Sequence, residues 1–159
     1  MTSADPRTTP VVATHPGPAS IALPAGIVQA IVDHARAEYP NEACGVIVGD
    51  RPAAAGGTAL RWVPTRNAYA SPNRYRIDDD QLRQLTIETD DADEAFWAIV
   101  HSHTHTPAYP SRTDVGLATI YTEPIYLLVS LEAAEPALGA YRIVDETIFP
   151  VELLVSGPT

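Results

Sequence analysis

Lysine is absent from this 159-residue chain: its ten basic residues are all arginines, set against twenty Asp and Glu, for a net charge of -10. A chain this acidic offers no basic face to track a phosphate backbone, which argues against nucleic acid as a partner. Long apolar runs are missing too, and no stretch approaches the ~20 residues of a membrane-spanning helix, so no membrane role is expected. Cysteine occurs once, at Cys44. An internal disulfide is therefore excluded, and nothing calls for an oxidising compartment. The first twenty residues carry Pro6, Pro10, Pro16 and Pro18 among Ser, Thr and Ala, without the basic start and apolar core of a secretory signal. They read as a disordered tail over residues 1–20, and a cytoplasmic location is expected.

What remains, residues 21–159, is of a size for one domain with a real core. Ile27, Ile31 and Ala35 recur at helical spacing behind Pro24, which a first helical turn accepts, and the helix should end near Tyr39-Pro40. Cys44 to Val48 is a short apolar run closed by Gly49-Asp50, the pattern of a buried strand and turn, with Glu42 just before it. Arg51 to Thr58 reads as a loop, Leu60 to Val63 as a strand, and Arg74 to Ile77 alternates basic with apolar residues like a half-buried strand. Asp78-Asp79-Asp80 supplies negative charge to the start of a helix carrying Leu82, Leu85 and Ile87. Phe96 to Val100 is a central strand running into His101, Ser111 to Tyr121 looks helical, and Ile125–Leu131, Leu138–Val144 and Ile148–Val155 read as three further strands. Strands and helices in irregular order predict an α+β fold of three layers (α/β/α), a curved sheet flanked by helices.

Chemistry concentrates between positions 101 and 114. His101 and His103 are two apart on a strand, so both imidazoles face one side while Ser102 faces the other. Ser111 and Asp114 are three apart, which on a helix puts them on one face. Two histidines and one carboxylate would leave a fourth position open on a zinc ion, as catalytic sites do. Hydrolysis also needs a group to take and return a proton, and Glu42, at the head of a strand able to pair beside the histidine strand, is the candidate.

The pattern His-x-His, seven residues, Ser, two residues, Asp, with an upstream Glu, resembles the JAMM (MPN+) zinc metalloproteases and matches at Glu42, His101, His103, Ser111 and Asp114. The resemblance implies one Zn2+ per chain on His101, His103 and Asp114, Glu42 as general acid and base, and Ser111 as oxyanion donor. It also implies a mixed, cytidine deaminase-like sheet. Asn41-Glu42-Ala43-Cys44-Gly45, Ala108 to Asp114 and Tyr141 to Asp145 look more narrowly like the actinobacterial Mec-type CysO-cysteine hydrolases, as does Thr104, which stands where many JAMM proteins have proline. The implied substrate is a ubiquitin-like sulfur-carrier protein with a C-terminal Gly-Gly, from which an amino acid, cysteine, is removed during cysteine biosynthesis. A broader isopeptidase on ubiquitin-like conjugates and a non-catalytic MPN interaction module are the alternatives. Asn67 to Tyr75 resembles the segment that lines the family's substrate channel, which makes Asn67 and Tyr75 candidate substrate-binding residues; the other reading is a loop with its turn fixed by Pro72. A homodimer stays open.

Other reactive side chains have plainer readings. Ser111-x-x-Asp114 alone is a helix-capping signature, and the hydroxyl is able to cap and to act in catalysis. Cys44, in an apolar strand, reads as packing. His105 precedes Thr106-Pro107, where the chain turns away, and reads as a loop residue; His34 lies on a helix face and His15 in the tail.

Overall fold

The computed structural model describes residues 17–157. The tail expected over residues 1–20 therefore lies mostly outside the described residues, as does His15.

Strand β1 (Ser20–Pro24) leads directly into helix α1 (Ala25–Glu38), and β2 (Cys44–Gly49), a short 3-10 turn at Ala53–Ala55 and β3 (Ala59–Thr65) follow. Helix α2 (Asp79–Asp91), β4 (Ala95–His103), α3 (Arg112–Leu117), β5 (Ile125–Ser130), β6 (Ala137–Val144) and β7 (Thr147–Ser156) complete the described residues. All seven strands form one mixed sheet in the order β1-β7-β6-β5-β4-β2-β3. Among the described residues only β1 with β7 and β4 with β5 run parallel. Among the described residues no helix is long and apolar enough to cross a membrane.

Each face of the sheet has its own core, which gives the three expected layers. On one face Ile31, Val32 and Ala35 of α1 pack on Leu23, Ile47, Trp97, Val100, Leu127 and Val129. On the other, Leu85 of α2, Ala118 and the Tyr75–Ile77 segment cover Cys44, Val46, Ile99, Tyr126 and Leu128. Alternation along β4 sends Val100 to the first core and Ile99 to the second, so His101 and His103 fall on the side covered by α2 and α3.

Three expectations are corrected. Arg74 to Ile77 alternates in burial, with Tyr75 and Ile77 inside, but makes only an isolated bridge from Ile77 to Asn67. The Asn67 side chain takes the place of a neighbouring strand, accepting from Arg76 N–H and donating to the Arg74 carbonyl at 3.0 Å each. Helix α3 stops at Leu117, short of Tyr121. Running on would have carried Thr119 and the 71% exposed Ile120 in helical form with little to bury. Finally, Ser20 to Pro24 is a strand, where the Pro- and Ala-rich surroundings masked the alternation of buried Ile21 and Leu23 with exposed Ala22 and Pro24.

Candidate metal centre

The ladder between β2 and β4 is antiparallel and sets Cys44 opposite His101, so the residues just before β2 lie beside the end of β4. On the other side β5 pairs His101 with Leu128 and His103 with Ser130. A strand held from both flanks is a rigid platform for two ligands two residues apart.

Asp114 reaches the same point from α3. Ser111 is the N-cap: its Oγ accepts from Asp114 N–H at 3.1 Å, and Ser111 N–H donates to Asp114 Oδ2 at 2.9 Å, a reciprocal capping box. That bond aims Oδ2 to within 3.1 Å of His101 Nε2 and 3.0 Å of His103 Nε2, while the two ring nitrogens are 3.2 Å apart. All three side chains are buried.

This triangle fits a zinc ion. Tetrahedral zinc with bonds of about 2.1 Å spaces its ligand atoms about 3.4 Å apart, so each edge need open only slightly. The tautomer is also suitable: the Pro107 carbonyl, 2.7 Å from His103 Nδ1, can only accept, so Nδ1 carries the proton and Nε2 presents a lone pair. The ring of Tyr75 stacks on His101 at 4.3 Å and 20°, fixing that imidazole by contact, while His101 Nδ1 is buried without a hydrogen-bond partner.

The charges of His101 and Asp114 suit a cation, whereas His103 would give up its Nε2 proton to one. Burial pushes the His101 imidazole below its ordinary pKa, against the pull of Asp114, and so favours the neutral ring. Burial also opposes charge on His103, but bonds to Asp114 and Pro107 outweigh it and raise that ring. For Asp114 burial favours the acid form, yet bonds from both histidines and from Ser111 N–H hold the carboxyl well below the usual range. It stays ionised at any working pH.

Glu42 is 4% exposed and its Oε2 has no hydrogen-bond partner. Burial raises its pKa from 4.5 to about 7, with His103 lowering it and Asp114 adding to the rise. A carboxyl group poised there exchanges protons readily near neutral pH. The Ser111 side is exposed, and its Oγ, which accepts from Asp114 N–H, keeps its own proton free to donate.

Asn67 and Tyr75 are both buried. Asn67 Nδ2 donates to the Glu42 and Arg74 carbonyls, and its Oδ1 accepts from Tyr69 and Arg76 N–H, which spends the amide on the loop itself. Cys44 packs in the core with Sγ 3.4 Å from Thr65 Oγ1, and burial pushes its thiol up to about 11, so it is no nucleophile. His105 is exposed and lies edge-on to Tyr39, away from the donor triangle; His34 contacts Trp62 and the Cys44 carbonyl. Sequence reasoning missed the stacking of Tyr75 on His101 and the Pro107 carbonyl behind His103, since neither contact has a spacing that announces it.

Comparison with known proteins places this architecture. The family described as prokaryotic homologs of the JAB domain matches residues 24–144. A protein of Mycobacterium tuberculosis named CysO-cysteine peptidase is 43% identical over 133 residues, covering 80% of this chain and 86% of that protein. A solution structure from Desulfitobacterium hafniense superposes with a TM-score of 0.73 at 25% identity, covering 86% of this chain and 93% of the other. The crystal structure of a JAB1/MPN domain protein from Archaeoglobus fulgidus shares the fold, with a TM-score of 0.54 at 15% identity over 85% of this chain and 98% of its own. With the family covering β2, β4 and α3, the very elements that bring Glu42, His101, His103 and Asp114 together, this chain belongs to the JAB/MPN domain family.

Proposed function

We propose that the chain is a zinc-dependent peptidase that hydrolyses the amide between the C-terminal glycine of a ubiquitin-like sulfur-carrier protein and an amino acid, cysteine. The observation that carries the proposal is the convergence of His101 Nε2 and His103 Nε2 of β4 with Asp114 Oδ2 of α3, within 3.2 Å of one another, where β4 pairs with the strand that follows Glu42. The name of the mycobacterial relative supports the substrate.

His101, His103 and Asp114 would hold one zinc ion, which when bound would supply Lewis acidity and make hydroxide available near neutral pH. Glu42 takes a proton from the attacking water as the new C–O bond forms. The same carboxyl then gives that proton to the amine nitrogen as the C–N bond breaks, which releases carrier and amino acid. The Ser111 hydroxyl donates to the oxygen on which negative charge develops. Asn67 and Tyr75 serve the substrate path through the loop they organise and through the His101 ring. Action on a soluble carrier fits a cytoplasmic setting.

Two substrates test the reading: the zinc-loaded protein is incubated with a ubiquitin-like carrier ending in Gly-Gly-Cys and with a ubiquitin-type isopeptide, each followed by mass. Loss of one cysteine residue from the carrier alone is expected. Cleavage of the isopeptide alone would make the chain a broader isopeptidase, and cleavage of neither by protein carrying one zinc would make it a non-catalytic module.

A further inference from the structure

Glu42 lies beyond the last pair of the β2–β4 ladder, Cys44 with His101, so regular strand pairing does not fix it. Ser102, on the face of β4 away from the ligands, holds the intervening residue: its Oγ accepts from Ala43 N–H at 2.7 Å and its N–H donates to the Ala43 carbonyl at 2.9 Å. Glu42 itself is gripped by the loop between β3 and α2. Its N–H donates to the Ser71 carbonyl at 2.8 Å, and its carbonyl accepts from Asn67 Nδ2 at 3.0 Å.

The same loop is latched to the ligand strand one residue further on. Thr104 follows His103 directly, is buried, and donates from Oγ1 to the Pro72 carbonyl at 2.9 Å. Ser71-Pro72 is thus a two-residue bridge, with Glu42 on one end and the exit of the histidine strand on the other. A residue without a hydroxyl at position 104 cannot make this latch. Asn67, with its side-chain oxygen and nitrogen both engaged by the loop and by Glu42, keeps the bridge rigid.

We propose that Thr104 and Asn67 are positioning residues for Glu42, clamping its backbone to the histidine strand through the Ser71-Pro72 bridge. The inference rests on the reading of Glu42 as the proton-transferring group. Neither residue touches the substrate in this account. A residue tethered at both its backbone N–H and its backbone carbonyl keeps its carboxyl group within reach of the scissile bond, and loosening it by even 1 Å costs turnover while binding survives.

The test uses the zinc-loaded full chain and a carrier ending in Gly-Gly-Cys. Thr104→Val removes the latch at constant shape, Thr104→Ser keeps it, and Asn67→Asp keeps the acceptor bonds while losing both donor bonds. In Thr104→Val and Asn67→Asp, kcat should fall roughly 10- to 100-fold with KM changed less than about twofold. Zinc content should stay at one per chain, and the amide proton of Glu42 should exchange faster than in the wild type while those of β5 do not. Thr104→Ser should restore kcat. Wild-type kcat in Thr104→Val, a loss that serine does not restore, or a loss accompanied by loss of zinc would each overturn the clamp. If Thr104→Val does not fold, as judged by circular dichroism, Asn67→Asp decides on the same criteria. Zinc-loaded Glu42→Gln is run alongside: retained turnover there removes the base and with it the functional reading, whereas an inactive Glu42→Gln beside a wild-type-like Thr104→Val removes the clamp alone.

Discussion

Glu42 is a residue that folding tolerates at a cost. Its carboxyl is buried, and its pKa is raised from 4.5 to about 7, so the folded state holds the proton more tightly than the unfolded chain does. The sign follows from linkage: below 4.5 both states are protonated and the group costs nothing, while above about 7 folding must bury a charge, at a cost of about 3 kcal/mol. Metal-free Glu42→Gln should therefore melt several degrees above the wild type at pH 8 and at the same temperature as the wild type at pH 4, read by thermal denaturation across pH. Equal melting at both values would mean that the charge is not buried. The wild-type residue, less stable than its neutral replacement, has the character of a functional group rather than a structural one. Its position in sequence announced none of this. An acidic residue after Tyr39-Pro40-Asn41 is unremarkable alone, and only the pattern downstream gave it meaning.

At the scale of elements, α3 is a short helix whose first turn makes the site. Six residues are too few to be stable by propensity, so the capping box between Ser111 and Asp114 both starts the helix and aims the carboxylate at the histidines. Removing the Ser111 hydroxyl should thus have two separable effects. Ser111→Ala is expected to lose about 1 kcal/mol of stability through the cap and about 100-fold or more in kcat through the oxyanion. Denaturant melts and steady-state kinetics on zinc-loaded protein measure them side by side. A kcat within a factor of three of wild type would confine Ser111 to capping. The cap was visible in the i, i+3 spacing, whereas the oxyanion role came only with the family resemblance. The true length of α3 was not visible: the apolar residues from Val115 to Tyr121 suit a helix, but Ile120 finds nothing to cover it. The false strand at Arg74 to Ile77 shows the converse, for alternating burial can be produced by a loop wrapped around one asparagine.

Seen as a whole molecule, this is a sheet that gathers a site from residues some 60 to 70 positions apart. Periodicity located β2 and β4 separately, and the apolar run ending at His101 announced a buried strand. That the two run antiparallel with Cys44 facing His101 is a matter of long-range pairing, which no local pattern encodes. Strand β1 was lost for the same reason, since five residues beside a proline-rich stretch become a strand only because β7 offers its edge. The donor set was legible because metal chemistry demands a fixed residue type at a fixed spacing. The clamp behind Glu42 was not, because carbonyl acceptors such as Ser71 and Pro72 leave no mark on composition. In the proposed function a zinc site on His101, His103 and Asp114 becomes hydrolytic only with Glu42 beside it. The most direct measurement is therefore turnover of a carrier ending in Gly-Gly-Cys by Glu42→Gln at a verified one zinc per chain. The account predicts full metal content with cysteine release reduced by at least about 1,000-fold; release at the wild-type rate from that metal-replete variant would contradict it.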